Sequence, residues 1–276
     1  MSELASRFVS IIPSFKGGAR QISRELDGIG DSAGKSAGKK AGGGFVAGMG
    51  GSLKGFAGGM LATMGIGALV SGFNSATNAA SDLNETVNKA GAIFGKNFAS
   101  MDKWAQGAAT SLGLSRQAAL DAAAGFGDMF SQIGFASGEA SKMSRSVVQM
   151  SADLGSFNNL ETGDVADRIS AAFRGEYDSL QAVIPNINAA RVEHEALAAT
   201  GKRTVKELTA AEKASAVLAI VQKDGARAMG DFARTSDGAA NAQKILAAKT
   251  EDVKARFGQA LLPVRLFTVQ GLSKLL

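Results

Sequence analysis

The chain has 276 residues, a formal net charge of +5 and no cysteine. Disulfides and thiolate metal sites are therefore excluded, and the length allows one large or two small domains. Apolar residues make up 45% of the sequence, aromatic residues only 6%, and much of the apolar content is alanine. Because alanine buries little area, this composition favours thin helical layers, or helices that associate between chains, over one thick core.

Residues 1–27 predict a short strand followed by a helix. The strand is indicated by residues 7–12, RFVSII, an apolar and partly β-branched run that stops at Pro13. Ser14 is in the position of a helix N-cap. The apolar residues that follow have helical spacing: Phe15, Ala19, Ile22 and Leu26.

Residues 28–73 are rich in glycine, which recurs every fourth residue in two runs. The first run is Gly30, Gly34, Gly38 and Gly42, and the second is Gly51, Gly55 and Gly59. Two interpretations stay open. The stretch is either a flexible Gly/Ser-rich linker or a helix whose glycine face lets partner helices pack closely.

The apolar part of this segment, residues 56–73, carries no charged residue. Its length reaches the lower bound for crossing a bilayer, about 17 residues. It predicts either a buried or self-associating helix hairpin or a segment that enters a membrane. The candidate membrane residues are Phe56, Met60, Leu61, Met64, Ile66, Leu69, Val70 and Phe73.

From residue 74 to residue 264 the pattern predicts helices throughout. Ser115 and Ser137 are expected at helix starts, and Gly113 and Gly201 at helix ends. Thr209 and Glu212 form a Thr-x-x-Glu capping box. Residues 155–162 are expected to form a polar connection, and Pro185 and Pro263 are the strong helix breakers. The last long helix is predicted over residues 241–262, with these residues facing inward: Ile245, Leu246, Ala248, Val253 and Phe257.

Four short blocks occur in a fixed order in the second half of the chain. They are residues 175–176 (GE), 208–214 (LTAAEKA), 230–237 (GDFARTSD) and 258–263 (GQALLP). Two earlier blocks are residues 112–115 (LGLS) and 150–154 (MSADL). This ordered set resembles the core region of tail tape-measure proteins of long-tailed bacteriophages, over most of residues 112–264. The strand and PSFKG at residues 13–17 also resemble the start of many actinobacteriophage members of that family.

The resemblance implies a structural virion protein that sets tail length during assembly and occupies the tail lumen. It implies self-association in several copies, with the tail-tube protein and tail-assembly chaperones as partners. It further implies a host-membrane contact and a role in genome ejection. The expected location is the tail lumen of the virion, and the host cytoplasm during assembly. Because family members are usually longer, the chain is expected to be a fragment, with residues 265–276 as a truncated tail.

No catalytic, cofactor-binding or metal-binding residue is predicted. His194 is the single histidine, and it lacks the second histidine of a zinc helix. Asp153 has no partner base in the pattern, and helix C-terminal capping is its expected use. The glycine-rich stretches contain no phosphate-binding loop. The positive charges are scattered without interleaved aromatic residues, so no specific nucleic-acid site is predicted.

The fold class predicted is all-α. It is an elongated helical bundle with long helices, a short N-terminal strand and a Gly-rich hydrophobic segment. The alternative function is a membrane-inserting channel or pore-forming protein that uses residues 56–73. An enzyme is the third and weakest reading, because any catalysis would depend on His194.

Overall fold

The computed structural model describes the backbone of residues 66–273 and the side chains of residues 71–262. Helices account for most of these residues, and no strand occurs among them. The all-α prediction is therefore confirmed for this part of the chain. The predicted N-terminal strand and helix, and the Gly-rich stretch up to residue 65, lie outside the described residues. The described residues from Ser75 onward form one compact unit.

Ten α-helices follow one another in the described residues. They are α1 (Ile66–Phe94), α2 (Phe98–Ala105), α3 (Ala108–Leu112), α4 (Arg116–Gln132), α5 (Ser137–Asn158), α6 (Thr162–Phe173), α7 (Ala189–Thr200), α8 (Ala210–Asp224), α9 (Asp231–Arg234) and α10 (Ala239–Ser273). Three short 3-10 helices lie between them: Gly95–Asn97, Asp178–Ala182 and Val205–Glu207.

Local capping chemistry fixes several of these boundaries as predicted. The Ser115 hydroxyl accepts the Ala118 N–H at the start of α4. At the start of α8, Thr209 and Glu212 form both hydrogen bonds of the capping box. Gly201 ends α7 with a φ of 70°, a conformation that glycine adopts without a Cβ penalty. These boundaries depend on neighbouring residues alone, which is why the pattern predicts them.

The core is built from helix pairs that are adjacent in the chain. α4 packs against α5, α5 packs against α6, and α7 packs against α8. Four phenylalanine rings form its aromatic centre: Phe126, Phe130, Phe135 and Phe173. The rings of Phe130 and Phe173 meet edge to face, with their centroids 5.0 Å apart. Met143 and Met150 are buried, as their helical spacing predicts.

Three boundary predictions are wrong. α5 continues to Asn158, so residues 155–158 are helical and the polar connection is shorter than predicted. Gln106 and Gly107 divide the helix that was expected to run from residue 98 to Gly113. α10 passes through Pro263 and ends at Ser273. Proline removes one backbone hydrogen bond, and the remaining bonds of a helix this long keep it continuous.

The predicted inward face of α10 is also partly wrong. Ala248 is buried and Ile245 is half-buried, but Leu246, Val253 and Phe257 are exposed. The buried positions are Asn241, Ala248, Ala255, Gly258 and Leu261, so the face that packs against the body carries mostly small or polar residues. An apolar pattern alone cannot show which of two apolar faces the body covers.

α1 and α10 approach each other closely at Gly258. A Cβ atom at this position would overlap the carbonyl group of Ala76. Both residues are buried. Only glycine allows this approach of two helix backbones, in the manner of small-residue helix contacts.

Gly127 in α4 is a second place where the packing requires glycine. A Cβ atom there would lie 2.5 Å from a ring carbon of Phe94, whose side chain is 1% exposed and cannot move away. Gly125 lies two residues earlier in the same helix, and a Cβ atom added there would have no neighbour within 4 Å. The two glycines therefore have different roles in one helix.

We predict that Gly127→Ala destabilises the protein by about 1–3 kcal/mol, because a methyl group there overpacks the core. The matched change Gly125→Ala is expected to stabilise it by about 0.5–1 kcal/mol through helix propensity. Urea unfolding followed by circular dichroism measures both values. Equal effects of the two variants would contradict the packing argument.

The charge pair between α7 and α8 gives a pH-dependent prediction. The Arg191 guanidinium donates two hydrogen bonds to the Asp224 carboxylate, at 2.5 and 2.8 Å. These bonds lower the pKa of Asp224 below its ordinary value. Because the folded pKa is the lower one, the contribution to stability is present above about pH 4 and is lost as the pH falls through the lowered pKa.

Asp224→Asn is therefore expected to lower the free energy of unfolding by about 0.5–1 kcal/mol at pH 7. The difference from the wild-type protein should shrink as the pH falls, because protonation of Asp224 removes the charge that binds Arg191. Unfolding in urea at pH 7 and at about pH 2.5, below the ordinary pKa of aspartate, measures it. The control is Asp128→Asn, whose exposed carboxylate accepts only from Gln132. A difference that stays constant with pH would contradict the prediction.

Candidate functional site

A connected set of polar contacts joins α5, α9 and the start of α10. We call it the polar junction and define it by five residues: Asp153, Ser156, Asp231, Thr235 and Asn241. Asp153 and Ser156 lie in the last turns of α5, Asp231 begins α9, and Asn241 lies in the first turn of α10. The junction thus connects residues that are about 80 positions apart in sequence.

Asp153 is the most deeply buried member of the junction, with 2% of its surface exposed. Its carboxylate accepts the Phe232 N–H at 3.2 Å and the Gln149 side-chain amide at 3.2 Å. The Phe232 N–H belongs to the first turn of α9, so Asp153 satisfies a helix N-terminus. The expected use of Asp153 as a helix C-terminal cap is therefore wrong.

A second set of hydrogen bonds runs through Ser156. Its hydroxyl donates to the Asp231 carboxylate at 2.6 Å. The Asn241 side-chain amide donates to the Ser156 hydroxyl and to the Thr235 hydroxyl, both at 2.8 Å. Thr235 in turn donates to the Asp231 carbonyl at 2.8 Å. The two hydrogens of the buried Asn241 amide are both used, which satisfies a costly polar group.

A cavity of about 270 Å³ lies beside the junction. Its lining includes Ser156, Asp231, Asn241 and Lys244, and the exposed ring of Phe157. The Lys244 ammonium donates to the Leu160 carbonyl at 2.8 Å, so its charge already has a protein partner. The polar groups around this cavity are directed at one another.

The junction has the residue types of a nucleophilic site, but its hydrogen bonds serve packing. A catalytic serine needs a general base that removes its proton towards a substrate. Here the Ser156 hydroxyl donates to a carboxylate and accepts from an amide. His194, the only histidine of the chain, is exposed on α7 as predicted. The arrangement can therefore hold three helices in one register.

The structure also bears on metal binding and on the predicted membrane segment. Among the described residues no group of three or more His, Asp or Glu side chains is placed to hold a metal ion. Among those same residues, no helix combines the length and the hydropathy needed to span a bilayer. Of the candidate membrane residues, Phe56, Met60, Leu61 and Met64 lie outside the described residues. Ile66, Leu69, Val70 and Phe73 lie in α1, and the membrane segment stays a prediction.

The short sequence blocks fall at constrained points of the backbone. Residues 175–176 form the turn after α6, with Gly175 at a φ of 94°. Residues 208–214 hold the capping box, and residues 230–237 supply Asp231, Phe232 and Thr235 to the junction. Gly258 lies at the crossing with α1. Residues 150–154 contribute Asp153.

The sequence pattern did not indicate that Ser156 and Asn241, two members of the junction, contact each other. Both lie in stretches assigned to a connection or to the start of a helix. A usable signal was present for Asn241, because it shares a face with Ala248 and Ala255 at helical spacing. A polar residue on a face of small residues indicates a buried hydrogen-bond partner.

We predict that Asp153→Ala lowers the free energy of unfolding by about 1–3 kcal/mol, because the buried Phe232 N–H loses its acceptor. Asp153→Asn should cost less, since the amide oxygen can still accept this hydrogen bond. Urea unfolding measures both, with the exposed Asp128→Ala as a control. Equal stability of the Asp153→Ala and Asp128→Ala variants would show that the junction is not structural.

Comparison of the chain with protein-family models, with curated proteins and with solved structures gives no significant match.

Proposed function

We propose that this chain is a structural protein of a bacteriophage tail, of the tape-measure class, which sets tail length during assembly. The support is the ordered set of blocks that resembles this class, combined with where those blocks lie. Each block coincides with a turn, a cap, a helix crossing or the polar junction, which are positions where the backbone tolerates few residues.

One observation carries the proposal. Residues 150–154 and 230–237 are separate parts of the resemblance, and they meet through Asp153 and Phe232. The two residues are 79 positions apart in sequence. Chance similarity in two short blocks has no reason to select both sides of one buried hydrogen bond. The contact supports the proposal because it places two of the resembling blocks in one folded unit of this chain.

The proposed mechanism uses the fixed rise of a helix, about 1.5 Å per residue. Several copies of the chain would lie in the tail lumen while tail-tube subunits polymerise around them, assisted by assembly chaperones. The packed helices of the core add less than this rise per residue to the length of the protein, because they fold back on one another. α10, with 35 residues, is the segment that adds the full rise, about 50 Å in total.

The proposal includes the remaining predictions about place and role. The protein occupies the tail lumen in the virion and the host cytoplasm during assembly, and it leaves the tail during genome ejection. Contact with the host membrane belongs to that last step. No residue has a catalytic role in this proposal.

The test is a series of insertions in the phage gene directly after Leu262. Helical inserts of 18, 36 and 54 residues are five, ten and fifteen whole turns at about 3.6 residues per turn, so the register of α10 is kept. Electron microscopy of the particles then measures tail length. We expect about 27 Å of added tail per 18 residues.

The matched control is a flexible insert of equal length between Lys202 and Arg203, in the exposed connection after α7. This insert forms a side loop and should leave tail length unchanged. Particles that assemble in normal yield with the same tail length for every α10 insert would refute the ruler function. Lengthening by both kinds of insert would show that chain length alone, and not helix rise, is measured.

A further inference from the structure

The outer side of α10 carries an apolar stripe that none of the described residues covers. Leu246, Val253 and Phe257 have 65%, 59% and 42% of their surface exposed. They are three of the five large hydrophobic residues that are exposed among the described side chains. At about 100° per residue they lie within roughly 40° of one another around the helix.

The opposite side of the same helix is the one that packs against the body. Ala248 and Ala255 are 5% and 6% exposed, and they lie roughly 180° from the stripe. A surface helix normally has a single apolar face, directed at its own core. α10 has a second apolar face, which none of the described residues covers.

The spacing of this second face is that of a helix-pairing seam. Leu246, Thr250, Val253 and Phe257 are separated by four, three and four residues. This alternation is the a/d spacing with which one helix packs against another. Thr250 is exposed like its neighbours, so the seam is continuous over three turns. We call these four residues the outer seam.

The charges beside the outer seam decide what can pack on it. Lys249 and Arg256 flank one side and Lys254 flanks the other, in the positions next to a and d. Lys249 and Arg256 have no ion pair within the described residues, and Lys254 pairs only with Glu251 of the same helix. Asp252 is turned to the body, where it accepts the Arg116 N–H. All flanking charges are therefore positive.

These charges disfavour a second copy of the same seam. Two parallel copies place Lys249 of one chain opposite Lys254 of the other, and two antiparallel copies also place cations opposite cations. Like charges at these positions oppose pairing, whereas opposite charges select the partner. The complementary surface is a helix with an apolar seam and acidic flanks.

We propose that the outer seam is a docking site for an amphipathic helix of another protein, with apolar residues on its seam and Asp or Glu on both flanks. This inference rests on the structure of α10 alone and does not depend on the ruler function. The seam supplies the buried apolar area, and Lys249, Lys254 and Arg256 supply the selectivity.

The test uses two synthetic four-heptad peptides with Leu at a and d. One has Glu at every e and g position and the other has Lys there, so that each alone is kept from pairing by repulsion. Fluorescence anisotropy of the labelled peptides, with the full chain as titrant, measures the dissociation constants at low salt. We expect the Glu peptide to bind at least about ten-fold more tightly than the Lys peptide, a difference of about 1.4 kcal/mol.

Variants then locate the site. Val253→Asp should weaken binding of the Glu peptide by about ten-fold or more, since it places a charge in the seam. The matched control Val205→Asp changes an exposed valine outside α10 and should leave binding unchanged. The double variant Lys249→Glu with Arg256→Glu should reverse the preference towards the Lys peptide. Because all these residues are exposed, the variants are expected to fold.

Three results would overturn the proposal. They are the absence of binding to the Glu peptide, equal binding of the two peptides, and sedimentation of the wild-type chain as an oligomer that Val253→Asp dissociates. The last result would assign the outer seam to contacts between copies of this chain.

Discussion

The carboxylate of Asp153, buried in α5, holds the Phe232 N–H, and the positions of the last two helices depend on this contact. Phe232 is fully buried and anchors the short helix α9. α9 has four residues and cannot be stable by itself, because ordering the first turn of a helix costs more conformational entropy than its single hydrogen bond offsets. Its position therefore comes from tertiary contacts, which include two directional hydrogen bonds from α5, one at Asp153 and one at Ser156.

Polar contacts of this kind determine geometry more strictly than apolar ones. Several residues beside the junction are small, among them Ala152, Gly155, Ala239 and Ala240, and small side chains alone can pack in more than one register with similar energy. The chain from Ser156 through Asn241 to Thr235 is satisfied in one register only, and any other leaves buried groups without partners. The junction thus selects one arrangement of helices whose apolar surfaces are otherwise undemanding.

Local features of the fold could be predicted from the sequence, and long-range ones could not. Helix boundaries at Ser115, Gly201 and Thr209 depend on residues within one turn. The local sequence pattern is therefore enough to predict them. The exposed seam of α10 was predicted to lie in the core because its apolar residues have the spacing of a buried helix face. Only the rest of the fold shows that the alanine face of this helix is the buried one. The polar junction was missed for the same reason, since Ser156 meets Asn241 across 85 positions. The sequence blocks at residues 150–154 and 230–237 could be picked out along the chain, but the sequence did not show that they touch.

The crossing of α1 and α10 at Gly258 has a mechanical consequence. The backbone of α1 is in contact with Gly258 of α10, which lacks a side chain, whereas the flanking residues Phe257 and Gln259 both carry one. Sliding one helix along the other would drive a side chain into the Ala76 carbonyl. The contact at Gly258 therefore resists sliding of α10 along α1 in either direction.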